Sequence, residues 1–235
     1  MRNQSCAGVA EPADAQVSKT CIRKGVRVRL PPPAYPFKIK PIDAAIDRRR
    51  LAYVIGLAIG DGNLSNPNGR ATRLRITCHT RHKVLVRNIC EAIQAILPKN
   101  KINIVNRSKN YLDVSCYSNR WENWLGWKAG KGSKAGQNVS VPDWILNEES
   151  FLIPCLRGLF ETDGSIYRDR GYLMMNFVST IQKLALDVLK MVSALGFKAS
   201  LSAFSSLDKG HRKKYTVRIC QNAASLIEVL GISKE

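Results

Sequence analysis

Two stretches of the chain repeat one pattern, and this repeat constrains the fold more than any other feature. The segment "YVIGLAIGDGNL", residues 53–64, recurs as "CLRGLFETDGSI", residues 155–166, so an apolar segment ends on an Asp-Gly pair twice. Glycine inside a helix costs about 1 kcal/mol relative to alanine. A carboxylate at a helix C-terminus also faces the negative end of the helix dipole. Both costs must be offset by close packing or by a bound cation.

The segments that follow each motif also match, which predicts an internal duplication. The strand-like runs "TRLRITCHT" and "YLMMNFVST" come first, and apolar residues at helical spacing, strand pairs and a shorter helix follow them. Each copy therefore has the predicted order αββαββα, and the expected fold class is α+β with two similar halves. A strand-like "VSVPDWIL" is expected to lead into the second copy. The predicted units are residues 45–127, a basic Gly-rich linker at 128–140 and residues 141–235.

Small residues recur at i, i+4 spacing in both motifs. They are Gly56 and Gly60 in the first motif, and Gly158 and Thr162 in the second. Residues at this spacing share one helix face, and small side chains allow two helix backbones to approach closely. The sequence therefore predicts that the two motif helices cross in direct contact along these four residues.

Such a crossing would place Asp61 and Asp163 side by side. Two carboxylates at two carbonyl-rich helix ends repel each other, and a divalent cation such as Mg²⁺, which favours carboxylate and carbonyl oxygens, would relieve that repulsion. Gly62 and Gly164 would suit left-handed helix caps. In the alternative interpretation each Asp-Gly pair is only a helix stop followed by a turn.

The charge of the chain points to a polyanionic partner. Its 37 Lys and Arg residues against 18 Asp and Glu residues give a formal net charge of +19, which favours nucleic acid. No apolar run is long enough to span a bilayer and no signal-peptide core opens the chain, so we expect no membrane association. Seven cysteines without a Cys-x-x-Cys motif suit a reducing compartment. The expected location is the bacterial cytoplasm or an organellar matrix or stroma.

Residues 1–40 differ from the rest of the chain. They show no sustained periodicity and contain a triple proline, so we expect a loop or a disordered basic arm that could contact DNA phosphates. A second hypothesis is that residues 7–34 are a translated bacterial-type leucine tRNA gene upstream of the true reading frame, because suitable codons pair into three stems in the right order. The nucleotide sequence decides between the two.

The segments "VIGLAIGDG" and "LRGLFETDG" resemble the two signature helices of the LAGLIDADG homing endonucleases, in the single-chain form with two motifs. The resemblance covers approximately residues 45–232. It implies a monomer with pseudo-twofold symmetry, whose signature helices form the central interface and whose two antiparallel sheets form a saddle over the DNA major groove. It also implies site-specific cleavage of both strands of a long, asymmetric double-stranded DNA target.

The resemblance implies the site residues as well. Asp61 and Asp163 would be the catalytic ligands of Mg²⁺ or Mn²⁺, and the carbonyls of Gly60 and Thr162 would also reach the metals. The family often adds a basic residue near the end of the last strand of each half, where this chain has Ser118 and Gln221. Other residues that could take that role are Lys109, Arg120 and Lys214. Two alternatives stay open on the same fold, an RNA-binding intron maturase and a DNA-binding regulator that has lost catalysis.

Basic and polar residues on the predicted sheet faces and in the linker are candidate DNA contacts. Arginine binds guanine bidentately and also binds phosphate, although these residues could instead form solvated strand faces. The strand candidates are Arg73, Arg75, Thr77, Thr216 and Arg218, with Arg168 and Arg170 in a predicted strand turn. In the linker, Lys128, Lys131 and Lys134 would contact backbone phosphate. The spaced Trp121, Trp124 and Trp127 are expected in the core of the closing helix.

Overall fold

A computed structural model describes residues 46–67, 69–205 and 212–232 of the 235-residue chain. The leader predicted at residues 1–40, with the tRNA-gene hypothesis for residues 7–34, lies outside the described residues. Within the described ranges, no helix is both long enough and apolar enough to cross a membrane.

The described chain follows the predicted order αββαββα twice. The first copy consists of α1 (Arg48–Asp61), β1 (Gly62–Ser65), β2 (Arg73–His79), α2 (Lys83–Ile96), β3 (Ile102–Asn106), β4 (Tyr111–Tyr117) and α3 (Trp121–Leu125). The second consists of α5 (Glu149–Thr162), β5 (Gly164–Asp169), β6 (Tyr172–Ser179), α6 (Gln182–Ala194), β7 (Ala199–Phe204), β8 (Lys214–Ile219) and α7 (Ala223–Leu230). The predicted α+β fold class with two similar halves is confirmed.

The segment "VSVPDWIL" departs from its predicted strand. Residues 143–146 form a short helix, α4 (Asp143–Leu146), instead. Val139 and Val141 are both buried, which produces the alternation of a strand, but they pair with no strand among the described residues. Pro142 directly precedes α4, and proline, which lacks an N–H group, cannot donate a hydrogen bond to a neighbouring strand.

Each half contains one antiparallel sheet of four strands. The strand order is β1-β2-β4-β3 in the first sheet and β5-β6-β8-β7 in the second. Gly62 pairs with Ile76 in the first sheet, and Gly164 pairs with Phe177 in the second, so the two registers correspond position by position. Alternate residues of β2 are buried in the core and the others face outward, as expected for an antiparallel sheet covered on one face.

The core is centred on α1 and α5, which pack directly against each other. Asp47 caps the start of α1, where its side chain accepts a hydrogen bond from the backbone N–H of Arg50 at 3.1 Å. From there, residues 51–59 of α1 are all buried, which explains why this helix is apolar around its circumference. The predicted core position of Trp121, Trp124 and Trp127 is confirmed, since each is at most 4% exposed.

Gly62 and Gly164 do not adopt the left-handed conformation expected of them. Gly62 has φ −77° and ψ 149°, and both glycines are the first residue of a strand. A β-carbon on Gly62 would lie 2.5 Å from the Cα of Ala58, and one on Gly164 would lie 2.7 Å from the Cα of Phe160. Glycine is therefore required because each strand turns back closely over the helix it leaves.

Candidate functional site

The four small residues of the two motifs form the crossing of α1 and α5. A β-carbon on Gly158 would lie 2.5 Å from the carbonyl oxygen of Tyr53 and 2.7 Å from the backbone nitrogen of Leu57. Gly56 lies against the backbone of Cys155 and Leu159 in the same way, and Gly60 lies against Thr162. The contacts advance along both helices in the same direction, so the helices run parallel and end together.

Asp61 and Asp163 stand at this shared end. Asp61 is the last residue of α1, and Asp163 caps α5 with its backbone N–H donating to the carbonyl of Leu159 at 3.0 Å. Because Gly60 packs against Thr162, the two aspartates follow directly after the last contact of the crossing. The structure thus brings together the two residues for which the sequence predicts a catalytic role.

A lysine from the linker reaches the same helix end. The Nζ of Lys134 donates hydrogen bonds to the carbonyl oxygens of Ile59 at 2.6 Å, Ala58 at 3.4 Å and Gly60. An ammonium group carries three N–H donors, and the last carbonyls of a helix lack partners within the helix and attract positive charge. Lys134 therefore acts as a cationic cap on α1.

Burial and charge act on Lys134 in opposite directions. Burial lowers the pKa of the ammonium below its ordinary value, while the negative charges of Asp163 and Asp61 act to raise it. Lys134 is therefore close enough to both aspartates to be stabilised by them. The charged end of Lys134 thus lies at the end of α1 and not on the outer surface of the linker, and its contact with DNA phosphate stays a prediction.

The residues at this end have the chemistry of a site for a divalent cation. Two aspartates lie at one helix end beside the last carbonyls of α1, and Mg²⁺ and Mn²⁺ prefer carboxylate and carbonyl oxygens as ligands. The Thr162 hydroxyl is directed back into its own helix, where it donates to the carbonyls of Gly158 and Leu159 at 3.0 Å each. No cluster of three or more His, Cys, Asp or Glu residues lies within the part of the chain that the structure describes.

The glutamate of the second motif has a different role from the aspartates. Glu161 accepts hydrogen bonds from the Tyr53 hydroxyl at 2.5 Å and from the Arg157 Nε at 2.9 Å, and the guanidinium of Arg157 lies 5.3 Å from the centre of the Tyr53 ring. Burial, together with the Glu161 charge, raises the pKa of Tyr53. This network links α1 to α5 and holds the two helices in register.

The predicted DNA contacts fall in several places. The first sheet presents Arg73, Arg75 and Thr77 on the face turned away from the core, and the second presents Thr216 and Arg218 in the same way. Lys128 and Lys131 are exposed in the linker. Arg168 pairs in register with Leu173 and so shares the side of the sheet that carries the half-buried Ile166, while Arg170 lies in the turn with φ 50°.

Asp113, the buried acid of the first sheet, could not be identified from the sequence. Asp113 is only 4% exposed although it lies on the outward face of β4, directly opposite Thr77. A single acidic residue in an otherwise ordinary strand gives no warning that it is buried among arginines, which lie elsewhere along the chain.

Comparisons with known proteins match each half of the chain. A LAGLIDADG-like domain model matches residues 150–227, and a WhiA LAGLIDADG-like domain model matches residues 50–114. A comparison with curated protein sequences gives no match.

Solved structures share the fold at low sequence identity. I-DmoI in complex with DNA and Mn superposes with a TM-score of 0.56 at 18% identity, covering 80% of this chain and 99% of that one. Full-length DUF199/WhiA from Thermatoga maritima superposes with a TM-score of 0.54 at 12% identity, covering 83% of this chain and 58% of that one. At these identities the likeness shows the fold.

Proposed function

Because the chain is a LAGLIDADG protein with two motifs, we propose that it is a site-specific endonuclease that hydrolyses both strands of double-stranded DNA with a divalent metal. The observation that carries the proposal is the shared end of the two motif helices. Asp61 and Asp163 follow the last contact of the crossing, and the partly buried ammonium group of Lys134 lies close enough to feel both of their charges. A chain with a net charge of +19 is suited to a polyanionic substrate. I-DmoI, which shares the fold, has been solved with its target DNA and Mg or Mn.

The metal would be held by the carboxylates of Asp61 and Asp163, with the carbonyls of Gly60 and Thr162 beside them. When bound, Mg²⁺ or Mn²⁺ supplies a Lewis acid that activates water and stabilises the charge that develops on a phosphate. The chain itself contributes the packed helix crossing, which holds the backbones of the two aspartates at one end. Lys134 adds a positive charge next to the reacting phosphate, where a fixed charge is more effective than in water.

The experiment first identifies a DNA target by selecting bound duplexes from a random library, and then tests cleavage. We expect the selected DNA to be cut on both strands with Mg²⁺ or Mn²⁺ and to stay intact with EDTA. Cleavage that continues in EDTA would overturn the metal dependence. Absence of any selected sequence would overturn DNA as the substrate.

Sequence-specific DNA binding without cleavage is a second candidate function. The observation that favours it is the hydrogen bond from Lys134 to the carbonyl of Gly60, because this carbonyl is one of the proposed metal ligands. In that case Lys134 takes the place of the metal as the counter-charge for Asp61 and Asp163. The selected DNA would then be bound with equal affinity with and without EDTA, and no metal would produce cutting.

A further inference from the structure

An ionic cluster around the buried Asp113 lies on the outward face of the first sheet. The Thr77 hydroxyl donates a hydrogen bond to Asp113 Oδ1 at 2.7 Å, the Arg107 Nε donates to Asp113 Oδ2, and the Arg75 Nε lies 3.8 Å from the same oxygen. Burial alone would raise the pKa of Asp113, but the hydrogen bonds from Arg107 and Thr77 and the charges of Arg107 and Arg75 hold it below its usual value. Asp113 is therefore a charged residue that hydrogen-bonds Arg107 and forms a longer ion pair with Arg75.

The cluster orients the two guanidinium groups. Arg107 donates its Nε–H to Asp113, whereas Arg75 approaches the same carboxylate with its Nε at 3.8 Å and makes an ion pair without a hydrogen bond. Within the described ranges no residue accepts a hydrogen bond from the terminal nitrogens of either arginine. A guanidinium is planar, so fixing Nε also fixes the direction of the terminal N–H groups, which can bind O6 and N7 of guanine bidentately. An arginine held in this way loses less side-chain entropy on binding than a free one does.

The second sheet lacks the cluster at the corresponding position. The cross-strand pair Thr77 and Asp113 of the first sheet corresponds to Val178 and Thr216 in the second, and Arg75 corresponds to Asn176. Val178 is 39% exposed, and apolar side chains contact the thymine methyl group rather than guanine. The two halves of the duplicated fold therefore present different chemistry at the same point.

We propose that Asp113 is a specificity-determining residue, which orients Arg75 and Arg107 to recognise guanines in the major groove of the half-site that faces the first sheet. The second sheet has no acid-held arginines at the corresponding positions, so we expect a weaker guanine preference at the matching base pairs of the half-site that faces it. The inference rests on the proposed function, because it takes double-stranded DNA as the substrate. Asp113 acts through the two arginines and does not itself contact a base.

The test measures base preference at each target position by selecting duplexes from a random library, with Ca²⁺ as the metal. The wild-type protein is compared with Asp113→Asn and with a control of equal charge change, Glu228→Gln. Glu228 is an exposed acid in α7, away from the candidate DNA contacts, and both variants raise the net charge by one. We expect Asp113→Asn to lower the guanine preference about tenfold at one or two neighbouring positions of one half-site, and Glu228→Gln to preserve every preference.

Two further variants keep the test decisive if Asp113→Asn fails to fold, which a thermal melt reveals. Arg107→Gln and Arg75→Gln should each weaken a guanine preference in the same half-site, and unchanged preferences in both would overturn the inference. An even loss of affinity across all positions in Asp113→Asn would also overturn it, because that result indicates a structural role alone. If the wild-type protein selects no sequence, the proposed function and this inference fail together. If the wild-type protein selects a target and Asp113→Asn shows the same base preference at every position, only this inference fails.

Discussion

Replacing Gly158 with alanine tests the helix crossing on which the site depends. The new β-carbon would lie 2.5 Å from the Tyr53 carbonyl oxygen, 2.7 Å from the Leu57 nitrogen and 3.1 Å from the Gly56 carbonyl carbon. All three are backbone atoms, so no side chain can rotate to make room. Since ordinary contact begins near 3.4 Å, α1 and α5 would have to separate by roughly 1 Å in a close-packed core.

The cost follows from this displacement. Overpacking a core costs about 1–3 kcal/mol, and the upper end applies here because the backbone must move. Alanine regains about 1 kcal/mol of helix propensity over glycine. We therefore expect Gly158→Ala to lower the free energy of unfolding by about 2 kcal/mol, which corresponds to a fall in Tm of about 4–8 °C for a protein of this size.

The assay is thermal and chemical unfolding followed by circular dichroism, with Gly136→Ala as the control. A β-carbon on Gly136 would meet its nearest atom, the Ser133 carbonyl oxygen, at an ordinary 3.4 Å, so this variant should stay within about 0.5 kcal/mol of the wild-type protein. If Gly158→Ala melts at the wild-type temperature or above it, the two helices are not in backbone contact and the reasoning is refuted.

Two further predictions concern the buried charges. Lys134→Met should raise the affinity of the site for Mn²⁺ in calorimetric titration, because it removes a positive charge beside Asp61 and Asp163. The control Lys128→Met, at an exposed position, should leave that affinity unchanged. Equal Mn²⁺ affinities for the two variants would contradict this prediction. Burial raises the pKa of Asp187 to about 6, so the folded state holds this proton more tightly than the unfolded state, and stability falls as the pH rises from about 4 to about 6, by about 3 kcal/mol. Asp187→Asn keeps an oxygen that can accept the hydrogen bond from the Val141 N–H, which donates at 3.1 Å. Unfolding titrations should therefore show this variant to be more stable than the wild-type protein at pH 7 and similar to it at pH 4. A variant that retains the full pH dependence would contradict the assignment.

Features that depend on local patterns were predictable from the sequence. The duplicated order of helices and strands follows from apolar periodicity within each copy, and the crossing follows from small residues four positions apart. The strand expected at "VSVPDWIL" fails for a non-local reason, because Val139 and Val141 alternate in burial without a neighbouring strand to pair with. The left-handed conformation predicted for Gly62 is wrong for a similar reason, since β1 returns over Ala58 and this path requires extended backbone at Gly62.

Within the candidate site, too, some features follow from local sequence patterns and others depend on contacts between distant parts of the chain. The pairing of Asp61 and Asp163 could be predicted because each aspartate ends a recognisable motif. The position of Lys134 could not, because it depends on the path of a linker whose turns bring an ammonium group to the end of α1, more than seventy residues earlier in the chain. The role of Asp113 depends on cross-strand neighbours, with Thr77 separated from it by 36 positions, so the burial of its charge appears only in the folded sheet.

The central claim is that one aspartate from each motif supports cleavage of DNA, and strand-resolved cleavage of a selected target tests it most directly. Wild-type protein, Asp61→Asn and Asp163→Asn are compared on a duplex with each strand labelled separately, with Mg²⁺ and then with EDTA. We predict that the wild-type protein cuts both strands only with Mg²⁺, and that each variant binds the target but no longer makes a double-strand break. The account would be contradicted if one variant were inactive while the other cut both strands at the wild-type rate.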